Sequence, residues 1–221
     1  MSDAVISADT QRPNRIPPRQ VQTYKWPVLH EGEVPPFNPE TWDFTIFPKP
    51  LVNDIKVMNW QQFTALPRIK VFADMHCVTR WSKLDNLWEG ISTREILKLV
   101  TIAPEAKFVM AHCEYGFTTN LPIDDFFGDD CLFGLKHNGQ DLTPDHGYPV
   151  RLVVPRLYAW KSAKWVRGIE FMEEDRPGFW EEWRNGGEQE LCALGGVYWI
   201  GGLGDSGGYE GPGSGLLCGL A

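Results

Sequence analysis

Two segments of this 221-residue chain carry side chains that can do chemistry. The first, Phe72-Ala-Asp-Met-His-Cys-Val-Thr-Arg-Trp-Ser82, places a thiol where an apolar run gives way to a polar, aromatic loop. A side chain at such a junction is delivered to a site by a rigid element. Thiolate sulfur is a soft ligand suited to thiophilic metals, and coordination deprotonates it. Arg80 is close enough in sequence to Cys77 to favour the thiolate or to present charge to an anionic substrate. A small, buried, apolar cysteine is a second reading of Cys77. Structural zinc is a third, because His76-Cys77 and His112-Cys113 supply two ligands of each kind. Adjacent strand residues point to opposite faces, and C-x-x-C spacing is absent, so zinc is the weaker reading.

The second segment runs from His146 to Arg167. It holds Arg151, Arg156, Lys161, Lys164 and Arg167, with no acid between Val150 and Ile169. In a chain of formal net charge -8 this local excess calls for an anion. Arginine offers a planar fork of donors and lysine a point charge, a pair suited to phosphate. A basic solvated face is the competing reading. A nucleic-acid stripe is opposed by the acidic remainder of the molecule.

These residues need elements to hold them. Aromatic and β-branched runs predict strands at Trp42–Phe47, Ile69–Met75, Lys107–His112, Val150–Val154 and Val166–Met172. Capping-box spacing at Asn59/Gln62 and Ser92/Glu95 predicts short helices near 60–66 and 93–100, with Pro67 ending the first. Pro122 opens a third, carrying Ile123, Phe126 and Phe127. Strands do not alternate with long helices, so a strand-dominated α+β fold is expected in place of a doubly wound sheet. Residues 1–22, rich in Pro, Arg, Gln and Asn, read as a flexible N-terminal arm, either ordered on contact or disordered. Residues 23–184 form the functional domain. Residues 185–221 are crowded with glycine and read as an atypical tail. Five scattered cysteines make a disulfide framework unexpected. The N-terminus carries no apolar leader, and no stretch approaches the ~20 apolar residues of a membrane span. A cytoplasmic location without membrane insertion is therefore expected.

Four motifs occur in one order: C-V-x-x-W-S at 77–82, F-T-T at 117–119, H-G-x-P-V-R-L-V-V-P at 146–155 and W-K-S-A-K-W-V at 160–166. Together they resemble the molybdopterin domain of the sulfite oxidase family, over roughly Trp26 to Glu182, and in particular its compact bacterial sulfite oxidase-like oxidoreductases. The resemblance implies the strand-dominated α+β fold of that domain and a molybdenum–molybdopterin cofactor with Cys77 as metal ligand. It also implies that Thr118 or Thr119 lies along the cofactor. His146 and Arg151 would contact the pterin and its phosphate, as would the Ser162-Ala163-Lys164 turn. The implied chemistry is two-electron oxygen-atom transfer on a small sulfur or nitrogen oxyanion or oxide. A non-catalytic descendant that kept the fold as a binding protein is the alternative.

The resemblance has departures. The arginine pair that follows the metal-bound cysteine in animal-type sulfite oxidases is absent. Cys-Val-Thr-Arg-Trp-Ser sits nearer the bacterial methionine-sulfoxide reductase pattern. No chain is left over for a haem domain, so no haem is expected and electrons would come from or go to an external partner. The match ends near Glu182, where the glycine-rich segment begins.

Overall fold

The computed structural model describes residues 4–185, residue 49 excepted, with backbone alone at 183–185. The segment 186–221, read above as the glycine-rich tail, lies outside the described residues.

A nine-residue strand, β5 (Arg68–His76), and a twelve-residue strand, β6 (Trp81–Ser92), form a long antiparallel hairpin. Period-two alternation puts Val71, Ala73 and Met75 of β5 on one buried face, and Cys77 continues that row past the strand end. The turn is a three-residue loop: Cys77 N–H donates to the Trp81 carbonyl, and Arg80 N–H to the Cys77 carbonyl, both at 2.9 Å. Arg80 takes the left-handed position that such a loop requires, at φ 70°.

Around this hairpin lies a seven-stranded sheet. β1 (Ala4–Ile6) pairs parallel with β5, and β2 (Val21–Gln22) parallel with β6. β9 (Leu132–His137) pairs antiparallel with β6, and both β10 (Gln140–Asp141) and β11 (Arg151–Val153) pair with β9. The second sheet runs β4-β3-β12-β7-β8. Its strands are β3 (Asp43–Ile46), β4 (Lys56–Asn59), β7 (Phe108–Cys113), β8 (Thr118–Pro122) and β12 (Val166–Met172). Short helices α1 (Trp60–Thr64), α2 (Ile123–Phe126) and α3 (Phe179–Asn185) cover its edges and ends.

The main core lies between the sheets. Phe44 of β3 meets Phe133 of β9 edge-on, ring centroids 5.0 Å apart, and stacks on Phe63 of α1 at 4.8 Å. Each of these fully buried rings contributes roughly 1.5–3 kcal/mol of burial free energy. A smaller core of Val71, Ala73, Met75, Trp88, Leu132, Leu142 and Val153 lies beneath the thiol's face.

All five predicted strands are present, and the strand-dominated α+β class holds. The Asn59/Gln62 box forms in both directions, at 2.9 and 3.0 Å. The helix expected near 93–100 is a 3-10 segment, Thr93–Lys98. There the Ser92 hydroxyl accepts from Arg94 N–H, and Glu95 is drawn to Lys98 Nζ at 2.7 Å, so no box closes.

Of the two readings of the N-terminal arm, order on contact is the one the fold follows: residues 4–22 lie along β5 and its turn, held there by polar groups. Ser7 N–H donates to the Phe72 carbonyl at 2.9 Å. Arg15 grips the fully buried Asp74 carboxylate through two hydrogen bonds of 2.8 and 2.6 Å. Gln20 Nε2 donates to the Cys77 carbonyl at 3.1 Å. The arm thus braces the strand end that carries the thiol. Replacing Arg15→Met strands the Asp74 carboxylate, and urea unfolding should show a loss of about 3 kcal/mol.

Candidate active site

A cavity of about 790 Å³ opens beside the hairpin turn, within the range of small-molecule sites. Cys77, Arg151, Ser162, Ala163 and Lys164 all line it. Cys77 is only 7% exposed, yet it is part of this lining. Thr79 Oγ1 donates to its sulfur at 3.1 Å. Cys77 is therefore neither a closed core cysteine nor part of a zinc set. Cys113 packs in the inter-sheet core, where burial pushes its thiol up, and His112 contacts Glu170. Among the described residues the one cluster with metal-ligand spacing is Asp9, Asp74 and His76, which contains no cysteine. Its Asp74 carboxylate is already committed to Arg15.

Arg151 is 3% exposed. Its guanidinium donates to the His146 carbonyl at 3.0 Å and the Ser162 carbonyl at 2.8 Å, and it lies over the rings of Trp26 and Trp88. The Nε has no partner among the described residues, and no carboxylate pairs with the group. Burial pulls its pKa down to about 9. Lys164 is pulled to about 7, by burial first and then by Arg151. Its Nζ donates to the Leu29 and Asp145 carbonyls. Asp145 offsets part of this lowering at Lys164, but Arg151 has no carboxylate among the described residues, and such a buried cation is costly unless an anion joins it.

The five bases of that segment thus divide. Arg151 and Lys164 face the cavity, whereas the other three serve as struts. Arg156 pairs with Asp125 at 3.0 Å, and Arg167 pairs with Glu114 and Asp43. Lys161 is buried, its Nζ bonded to Glu181 at 2.6 Å and to both oxygens of Asn120 at 2.8 Å. Glu181 in turn accepts from Gly178 N–H at 2.6 Å. This ties the Ser162–Lys164 turn to β8 and to the start of α3, whose Phe179 and Trp180 form cavity wall.

Four expected site residues stand elsewhere. Arg80 is exposed at the hairpin turn and does not line the cavity, because the left-handed backbone there carries its side chain outward. Thr118 Oγ1 accepts from Phe179 N–H at 3.1 Å, and Thr119 is buried under Gly178, so both support α3 from behind. Glu114, Tyr115 and Phe117 of the same stretch line the cavity in their place. His146 lies just behind the wall: its ring stacks on Trp26 at 3.8 Å and its carbonyl holds Arg151. Missed from sequence were the Trp26–Glu33 loop and Trp160, Trp165 and Trp180. The count of ten tryptophans is the available signal, although aromatic residues more often supply core area than cavity wall.

Comparison with known proteins now decides the family. The profile described as "Oxidoreductase molybdopterin binding domain" matches residues 31–180. The chain belongs to this molybdopterin oxidoreductase family, of the sulfite oxidase type. It is 46% identical over 173 residues to the "Uncharacterized oxidoreductase YuiH" of Bacillus subtilis (strain 168), covering 78% of this chain and 85% of that one. It is 28% identical to the "Protein-methionine-sulfoxide reductase catalytic subunit MsrP" of Campylobacter jejuni, covering 66% of this chain and 54% of that protein. The fold is similar to the sulfane dehydrogenase SoxCD of Paracoccus pantotrophus, with a TM-score of 0.57 at 21% identity, covering 64% of this chain and 40% of that one.

The cavity suits the family's cofactor on its own evidence. A soft thiol and an unpaired, buried guanidinium line one hollow, as a metal and a phosphate on one organic chelate require.

Two outcomes follow. Lys161→Met leaves the Glu181 carboxylate buried without its counter-charge; chemical denaturation should show a cost of about 3–5 kcal/mol, mostly recovered in Lys161→Met/Glu181→Leu. Burial holds His137 near 3 and His146 near 4, against an ordinary 6.5. Below about pH 6.5 the unfolded chain takes up protons that these folded rings refuse, so stability falls as pH drops toward about 4. Asp9, pushed up to about 6 by burial, offsets part of this loss. Unfolding temperature should therefore decline across that window, and less steeply in His137→Phe.

Proposed function

We propose that this chain is a molybdenum-cofactor oxidoreductase performing two-electron oxygen-atom transfer on a small sulfur or nitrogen oxyanion or oxide. The observation that carries this reading is that Cys77, Arg151 and Lys164 line one cavity. When bound, the cofactor supplies the two-electron exchange of an oxygen atom with the substrate. In the reducing direction an oxide, two electrons and two protons give the reduced substrate and water. The electrons pass to or from an external carrier.

The protein's own tasks are anchoring, orientation and exclusion of water. Cys77 offers its sulfur from a hairpin end fixed by backbone hydrogen bonds, Thr79 and Gln20. Arg151 and Lys164 would hold the phosphate end. Trp26, Trp81, Trp160, Trp165, Phe179 and Trp180 surround the space with rings, which limits water and strengthens electrostatic contacts inside. A cavity open to Cys77 favours an enzyme over a non-catalytic descendant. A reducing, cytoplasmic setting is part of the proposal, supported by the free, buried thiols of Cys77, Cys113 and Cys131.

Metal and pterin analysis of the purified protein tests the assignment, with molybdenum and a phosphorylated pterin expected in equal amounts. Cys77→Ser should lose molybdenum while retaining much of the pterin; Arg151→Met should lose both. Pterin retained in full by Arg151→Met, or a wild-type protein carrying neither component, overturns it.

A further inference from the structure

The cations of the cavity are spoken for once an anionic cofactor occupies it. Arg151 is deep in the wall, and the Lys164 ammonium is held by the Leu29 and Asp145 carbonyls. Arg80 lies outside the lining, and His30 is turned back on its own loop, Nδ1 lying 3.1 Å from the Gly32 carbonyl. What remains is acidic. Glu114 is neutralised by Arg167 at 2.6 Å, but Glu31 and Glu33 are exposed at the mouth and make no ion pair among the described residues. Gly32 between them has φ 72°, so the loop turns sharply there, and all three residues are both exposed and part of the lining.

Another part of the lining is apolar. Phe117, Phe179 and Trp180 form one aromatic patch, with ring centroids 5.1, 6.2 and 5.3 Å apart pairwise. The Lys161–Glu181 strut holds that patch in place. An aromatic surface with an acidic rim attracts apolar and cationic groups and repels anions.

Building on the function proposed above, we infer that the site selects its substrate by charge: an uncharged or cationic organic oxide whose apolar substituent rests on Phe117, Phe179 and Trp180. Glu31 and Glu33 are the specificity residues, turning away inorganic oxyanions and carboxylate-bearing oxides. Both act through the field at the entrance, without touching the transferred oxygen. Their effect therefore weakens with ionic strength, since the screening length falls from about 10 Å at 0.1 M salt to about 3 Å at 1 M.

The test uses cofactor-loaded protein whose molybdenum and pterin contents have been measured. Tryptophan fluorescence is titrated with methyl phenyl sulfoxide, with its 4-carboxy analogue, and with nitrate and sulfite as competitors. At low salt the carboxylate should bind about tenfold more weakly than the uncharged sulfoxide. The gap should close at about 1 M salt and in Glu31→Gln/Glu33→Gln, while affinity for the uncharged compound stays unchanged. Nitrate and sulfite should displace the sulfoxide poorly. Equal or tighter binding of the carboxylate, nitrate or sulfite overturns charge selection and leaves the oxidoreductase assignment standing, as does a gap indifferent to both glutamates. A protein without molybdenum or pterin fails that assignment, and the inference falls with it.

Discussion

A guanidinium buried without a carboxylate is the constraint around which this molecule is organised. Arg151 is charged, almost wholly inside, and among the described residues meets two carbonyls and two indole faces. Its surroundings are shaped to tolerate that charge. Gly147 passes so close that a Cβ there would lie 3.1 Å from the Cβ atoms of both Arg151 and Lys164, and its φ of 104° suits glycine. Trp26 is shared between the guanidinium and the His146 ring. The cost of holding this charge is offset only when an anion enters, so the fold stores part of its binding specificity as an incomplete ion pair.

The thiol is positioned by the opposite strategy, with the backbone on either side of it held by hydrogen bonds. One face of β5 carries Cys77 toward the cavity, and the other presents Asp74 to Arg15. The turn fixes the thiol's backbone through two hydrogen bonds, and Gln20 takes the remaining carbonyl lone pair. A rigid donor of sulfur and an underfilled cradle for phosphate thus face the same space.

Much of this was legible in the sequence, and the failures have physical causes. Apolar, β-branched runs announced β3, β5, β7, β11 and β12, whereas β6 was missed because WSKLDNLWEGIS mixes polar residues into a strand paired along both edges. The cationic segment pointed to an anion, but composition cannot tell a cradle residue from a strut. Lys161 is taken by Glu181 and Asn120, whereas Lys164 lines the cavity with its ammonium on two backbone carbonyls. Proximity in sequence misled for Arg80, since a left-handed residue in a tight turn sends its side chain away from its neighbours. Composition left the arm between order on contact and disorder, because low hydrophobicity signals disorder only where no buried polar partner awaits.

That arm has an implication for how the chain is assembled. Ala4 pairs with Lys70, and Arg15 with Asp74, so the arm, which precedes β5 in the chain, has nothing to bind until that strand has been made. Its docking depends on contacts distant in sequence, which form late because a long loop must close first. During that interval the back of the thiol-bearing strand is bare, and the arm seals it only after the sheet it buttresses already exists.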